Sequence, residues 1–101
     1  MRTSPSTVHN LVTITTTGVT PTEAGSPGRT LILEFINHDS DVHDIRADPH
    51  PAHSDCLELN VGPIMPGERR LLPSIASGFR CGYHDDTRLG ESRFQGLVST
   101  Q

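Results

Sequence analysis

Cys81 and His84 stand close together in the run Gly78-Phe79-Arg80-Cys81-Gly82-Tyr83-His84, and His43 lies far upstream. A thiolate and an imidazole at C-x-x-H spacing, beside a β-like segment, can both reach one metal ion. A second imidazole arriving from a distant strand completes a trigonal His₂Cys set, the arrangement that soft, redox-active copper favours. The plainer reading of the same residues is a structural cysteine with surface histidines. Donor density favours the metal: six histidines and two cysteines in 101 residues exceed what packing requires.

A second concentration of donors lies at Asp48-Pro49-His50-Pro51-Ala52-His53-Ser54-Asp55-Cys56. Its two prolines bar the stretch from a central ladder position. Prolines that fix the backbone while imidazoles, carboxylates and a thiol converge suit the wall of a site. The alternative is a solvated connection whose histidines are incidental. After His84, Asp85 and Asp86 offer oxygen donors or form an exposed acidic loop.

The elements that must position these residues read as strands. Turn residues punctuate the chain every eight to twelve residues, and no 3.6-residue periodicity is sustained anywhere. Leu11 to Thr17 is β-branched, and Leu31, Leu33 and Phe35 alternate with Ile32, Glu34 and Ile36. Val42 to Ala47, Glu68 to Leu72, Ser77 to Tyr83 and Phe94 to Ser99 supply further short strands. Between them, Thr20-Pro21, Gly25-Ser26-Pro27-Gly28 and Gly62 to Gly67 carry turn chemistry. The pattern predicts an all-β sandwich of seven to eight strands, formed by residues 1–101 as a single domain.

Composition excludes several classes. The formal charge is −4, all eight cations are arginine, and no basic stripe with interleaved aromatics appears, which argues against a nucleic-acid partner. No apolar run is long enough to span a bilayer, so no membrane insertion is expected. Three Phe, one Tyr and no Trp leave the core to Val, Ile and Leu. Residues 1–6 are polar and are not a signal peptide; they read as a disordered or added N-terminus. No nucleophile with a base and an orienting partner is visible, so no enzymatic activity is expected.

Along nearly the whole chain, and in order, these residues resemble the cupredoxins. Phe35-Ile36-Asn37-His38-Asp39 with Val42-His43-Asp44 is similar to the segment that delivers the family's first histidine ligand. Gly62-Pro63-Ile64-Met65-Pro66-Gly67-Glu68 resembles its "G-x-L-x-P-G-E" turn. Gly78 to His84 resembles its "G-x-Y-x-x-C-x-x-H" ligand loop, and Gln95-Gly96-Leu97-Val98 its closing strand. The Asp48 to Cys56 segment resembles a D-P-H-P-x-H-x-D-C motif of a bacterial cupredoxin-like subgroup. The resemblance implies a Greek-key sandwich and one copper ion cycling between Cu(I) and Cu(II), held by His43, Cys81 and His84. It also implies a redox partner protein, a monomer, and a periplasmic or extracellular location with the leader absent from this sequence. The family's axial methionine is missing. Met65 lies in a turn and reads as a packing residue.

Cys56 opens a fork. In one branch Cys81 is a copper thiolate with His43 and His84, and Cys56 is a buried thiol or further ligand. In the other, Cys56 and Cys81 form a disulfide, because paired cysteines tend to oxidise outside the cytosol. That bridge would add roughly 3 to 4 kcal/mol on a chain-entropy estimate. The metal would then keep His43, His84 and one or both of His50 and His53, closer to tetragonal Cu(II) chemistry. The leading expectation is a one-electron copper carrier with the thiolate. The alternatives are a copper-binding or copper-supply protein with a histidine-only site, and a metal-free, disulfide-stapled binding module.

Overall fold

The computed structural model describes residues 7–101, so the expectation for residues 1–6 lies outside the described residues. Among the described residues, nine strands form two sheets. They are β1 (Thr7–Thr15), β2 (Gly18–Thr20), β3 (Glu23–Ala24), β4 (Thr30–Asn37), β5 (His43–Ala47), β6 (Gly62–Ile64), β7 (Arg69–Leu71), β8 (Arg80–Asp85) and β9 (Gly96–Ser99). The first sheet runs β2-β1-β4-β7 and the second β3-β9-β8-β5-β6. This is the expected cupredoxin-like sandwich. Three strands lie outside those placed from the sequence: β2 and β3, of three and two residues, too short for an alternation to register, and β6, which takes Gly62–Ile64 from the stretch expected to turn.

Period-two alternation builds the core from both inner faces. Val12 and Ile14 of β1 and Leu31, Leu33 and Phe35 of β4 are fully buried, facing Ile45, Tyr83 and Val98 of the second sheet. Phe35 and Tyr83 meet edge to face with centroids 5.3 Å apart. Gly96 makes room for that ring, since a Cβ there would fall on the Tyr83 ring. Burial pushes the Tyr83 phenol far above its ordinary pKa. Met65, expected to pack, is 54% exposed, because Ile64 takes the inward position at the end of β6. Among the described residues no helix is long and apolar enough to cross a membrane.

Strand β8 determines where the chemistry goes. Its ladder runs through His84 and Asp85, beyond the end expected at Tyr83. Cys81, Tyr83 and Asp85 therefore point into the core, while Gly82 and His84 point outward. The register with β5 sets Ile45 opposite Asp85 and Arg46 opposite His84. His43 shares the inward parity of Ile45, so the two histidines expected to share an ion occupy opposite faces of the sheet.

Candidate metal centre

On the outer face, the chain leaves β5 at Ala47, which pairs with Tyr83 of β8. The Asp48–Cys56 loop thus begins beside the outward residues of β8. The Asp48 N–H donates to the Gly82 carbonyl at 3.0 Å, and the Gly82 N–H donates to Asp55 Oδ2 at 2.9 Å. Gly82 leaves room for this arrangement: a Cβ would fall on the Asp48 carboxylate where it now lies. With that space open, Asp48 Oδ1 lies 2.6 Å from His84 Nδ1 and turns the other ring nitrogen toward the loop.

The loop brings its own imidazoles to meet it. His53 is the one non-glycine residue at positive φ (53°) among the described residues. Its N–H donates to the Pro49 carbonyl at 2.6 Å, and its carbonyl accepts from Asn60 Nδ2 at 2.8 Å. Asn60 Oδ1 also accepts from the Ala47 N–H at 3.0 Å, so one amide ties both ends of the loop. A side chain held in the left-handed region by its surroundings is a recurrent feature of functional sites.

The result is a convergence of His50, His53, His84 and Asp86, whose donor atoms all lie within 4.8 Å of one another. His84 Nε2 is 2.6 Å from Asp86 Oδ1. His50 Nδ1 and His53 Nε2 each lie 3.4 Å from that oxygen and 3.2 Å from one another. Donors around a tetrahedral ion with bonds of about 2.0–2.1 Å stand roughly 3.3 Å apart, so the cluster is close to a metal's dimensions. His84 and Asp48 form the carboxylate–imidazole pair that commonly orients a metal-bound histidine. The cluster opens to solvent through His50, whose side chain is 46% exposed, while that of His84 is 7% exposed.

His43 lies apart from this cluster. It is fully buried, with Nε2 2.8 Å from Asp39 Oδ2 and Nδ1 2.5 Å from Asp85 Oδ2. Its partners sit at opposite ring nitrogens and do not converge on a point. The Arg88 guanidinium approaches Nδ1 at 3.3 Å and would repel a cation there. The hydrogen bond to His43 holds Asp39 below its ordinary pKa. Burial pushes Asp85 up, but donation from the Thr87 hydroxyl, His43 and the Thr87 and Asp44 N–H groups leaves it lowered.

Cys81 and Cys56 are joined as a disulfide with Cα atoms 5.9 Å apart, which takes both sulfurs out of the donor set. Of the residues expected to hold metal, the structure brings together His50, His53 and His84, and leaves His43, Cys56 and Cys81 outside. Asp86 joins from the acidic run after His84, while its neighbour Asp85 turns into the core. Asp48, Gly82 and Asn60 were not singled out as site residues by the sequence. Asp44 pairs with Arg46 Nε at 2.8 Å on the outer face. His9 and His38 are exposed.

No protein-family model matches the chain, and no curated protein matches it. Solved structures do. A purple cupredoxin from Nitrosopumilus maritimus aligns with a TM-score of 0.65 at 20% identity, over 90% of this chain and 98% of that one. Auracyanin B aligns with a TM-score of 0.61 at 11% identity, over 100% of this chain and 93% of that one. A mutant plastocyanin of fern gives 0.63 at 11% identity, over 91% and 100%. At these identities the likeness is one of fold, and it extends across the whole sandwich.

Proposed function

We propose that this chain is a copper-binding protein whose single ion is held by His50, His53, His84 and Asp86 on the outer face of the second sheet. The observation that carries this reading is the convergence of three imidazole nitrogens and one carboxylate oxygen on a common point. Imidazole and carboxylate donors without a thiolate suit a divalent ion, and Cu(II) exceeds Zn(II) in affinity for such a set. The fold likeness to copper proteins supports the same metal. With both sulfurs in a disulfide, the reading is of the copper-binding or copper-supply kind, as a binder and not an enzyme. It is consistent with an oxidising compartment, periplasmic or extracellular, where such a bridge persists. It also fits the D-P-H-P-x-H-x-D-C subgroup, since that motif supplies two of the donors.

A one-electron carrier is the second reading. It is favoured by the sandwich shared with a plastocyanin described in oxidised and reduced forms. Here it would require the ion to cycle in nitrogen and oxygen ligation, with a partner protein reaching it at His50. Titration with Cu(II), followed by visible absorption and electron paramagnetic resonance, tests the primary reading. One equivalent with faint d–d bands and coupling to three nitrogens is expected. Intense visible charge transfer would demand a thiolate and contradict it. Reduction of the loaded protein that is reversible and leaves the ion bound would favour the carrier.

A further inference from the structure

The disulfide and the metal cluster are built from the same two segments. Cys56 follows His53 by three residues on the loop, and Cys81 precedes His84 by three on β8. The bridge therefore crosses directly between the strand that carries His84, with Asp86 just beyond it, and the loop that carries His50 and His53. It spans a sequence separation of 25; the loop is otherwise held to β8 by hydrogen bonds and by the contacts of His84 with Asp48, His50 and His53, none of them covalent. Both cysteines are buried, Cys81 at 1% and Cys56 at 4% exposure, and Cys56 belongs to the lining of a groove of about 490 Å³ with Leu57, Pro73, Ile75 and Phe79. Leu57 is 71% exposed and Phe79 48%, so the groove that Cys56 lines reaches solvent.

We infer that the Cys56–Cys81 disulfide is a redox-sensitive staple of the metal centre, opened by a dithiol reductant that enters through the groove at Cys56, and that opening it releases the ion. The inference rests on the proposed metal centre. A thiolate of the reductant attacks Cys56 Sγ, the Cys56–Cys81 bond breaks, and Cys81 leaves as a thiolate that takes up a proton. The second thiol of the reductant then displaces Cys56, so two electrons and two protons pass to the protein and the reductant becomes a disulfide. Without the bridge, His50 and His53 are no longer held opposite His84 and Asp86, and the donor set loses its preorganisation. Coupling of this kind is reciprocal. An ion that binds the bridged form more tightly must stabilise the disulfide against reduction by the same factor.

Two measurements test it. Calorimetric titration with Cu(II) compares the wild type with the double variant Cys56→Ser/Cys81→Ser, which is expected to bind about tenfold more weakly or worse. Separately, the fraction of the wild-type disulfide reduced at equilibrium in a glutathione redox buffer is measured with and without Zn(II). A shift of about tenfold toward the disulfide is expected with the ion, and no shift in His50→Ala/His53→Ala. This second assay stands even where the double variant does not fold. Equal Cu(II) affinities, or tighter binding by the double variant, would overturn the staple and leave the metal centre standing. So would a reduction equilibrium indifferent to Zn(II). A wild type that binds neither ion would overturn the metal centre, and the staple with it.

Discussion

The second sheet carries an imidazole–carboxylate cluster on each face, and the two differ in organisation more than in composition. In the core, His43 meets Asp39 and Asp85, with Arg88 completing the charge balance and bonding Asp41 at 3.0 Å. On the outer face, His84 meets Asp48 and Asp86, with His50 and His53 facing the same oxygen of Asp86. The core cluster is dispersed: no further imidazole joins the two carboxylates on His43, its ring is fully buried, and a cation already stands beside it. The outer cluster is convergent and partly open. The contrast shows that convergence on a point with access, rather than donor count, separates a metal centre from a buried ion network.

Breaking the core cluster should have the largest effect, and it should fall on stability. His43→Ala leaves Asp39 and Asp85 buried without their shared partner, and breaking such a network costs about 3–5 kcal/mol. Urea denaturation measures the loss, and Cu(II) stoichiometry of the folded fraction should stay at one. Breaking the outer cluster should reverse the pattern. His84→Ala removes the best-held ligand and should weaken Cu(II) binding at least a hundredfold, about 2.7 kcal/mol, with a much smaller change in the urea midpoint.

Asp48→Asn sharpens the comparison. It keeps the shape of the side chain but removes the charge that orients His84, and should weaken Cu(II) about tenfold by calorimetry. The smallest effect belongs to a site in neither cluster. Arg69 Nε and Nη2 donate to Glu34 on the first sheet, each at 3.0 Å, and this holds the Glu34 carboxyl below its ordinary pKa. A lowered folded-state pKa stabilises above the unfolded value and is lost as pH falls through the folded one. Glu34→Gln should therefore be slightly less stable than wild type at neutral pH and indistinguishable from it in acid. Its Cu(II) affinity should be unchanged throughout.

Much of this was legible in the sequence because it is local. The alternation of Leu31, Leu33 and Phe35 marks β4, and the D-P-H-P-x-H loop announces donors on a non-strand segment. What was not legible depends on a strand boundary. Ending β8 at Tyr83 leaves His84 free to swing beside Cys81, whereas extending it by two residues fixes them on opposite faces. One signal was present: Asp85 follows Tyr83 at strand parity, and a carboxylate in that position needs a buried partner, which His43 supplies. The roles of Asp48 and Gly82 arise from cross-strand contact, in which a missing Cβ admits a distant carboxylate. Asn37, which reads in the sequence as a turn residue at a strand end, ties loops together. It donates to the carbonyls of Asp41 and Ile64 at 2.8 and 2.9 Å and accepts from the Asp39 N–H at 2.8 Å.

The central claim, that the ion sits on the outer face and not in the core, is tested most directly by locating the metal. Anomalous diffraction at the copper edge, from crystals of the wild type loaded with one equivalent of Cu(II), gives its position without reference to colour or affinity. The account predicts one peak among His50 Nδ1, His53 Nε2, His84 Nε2 and Asp86 Oδ1. A peak on the core side of the sheet, beside His43 or the Cys81 sulfur, would contradict it.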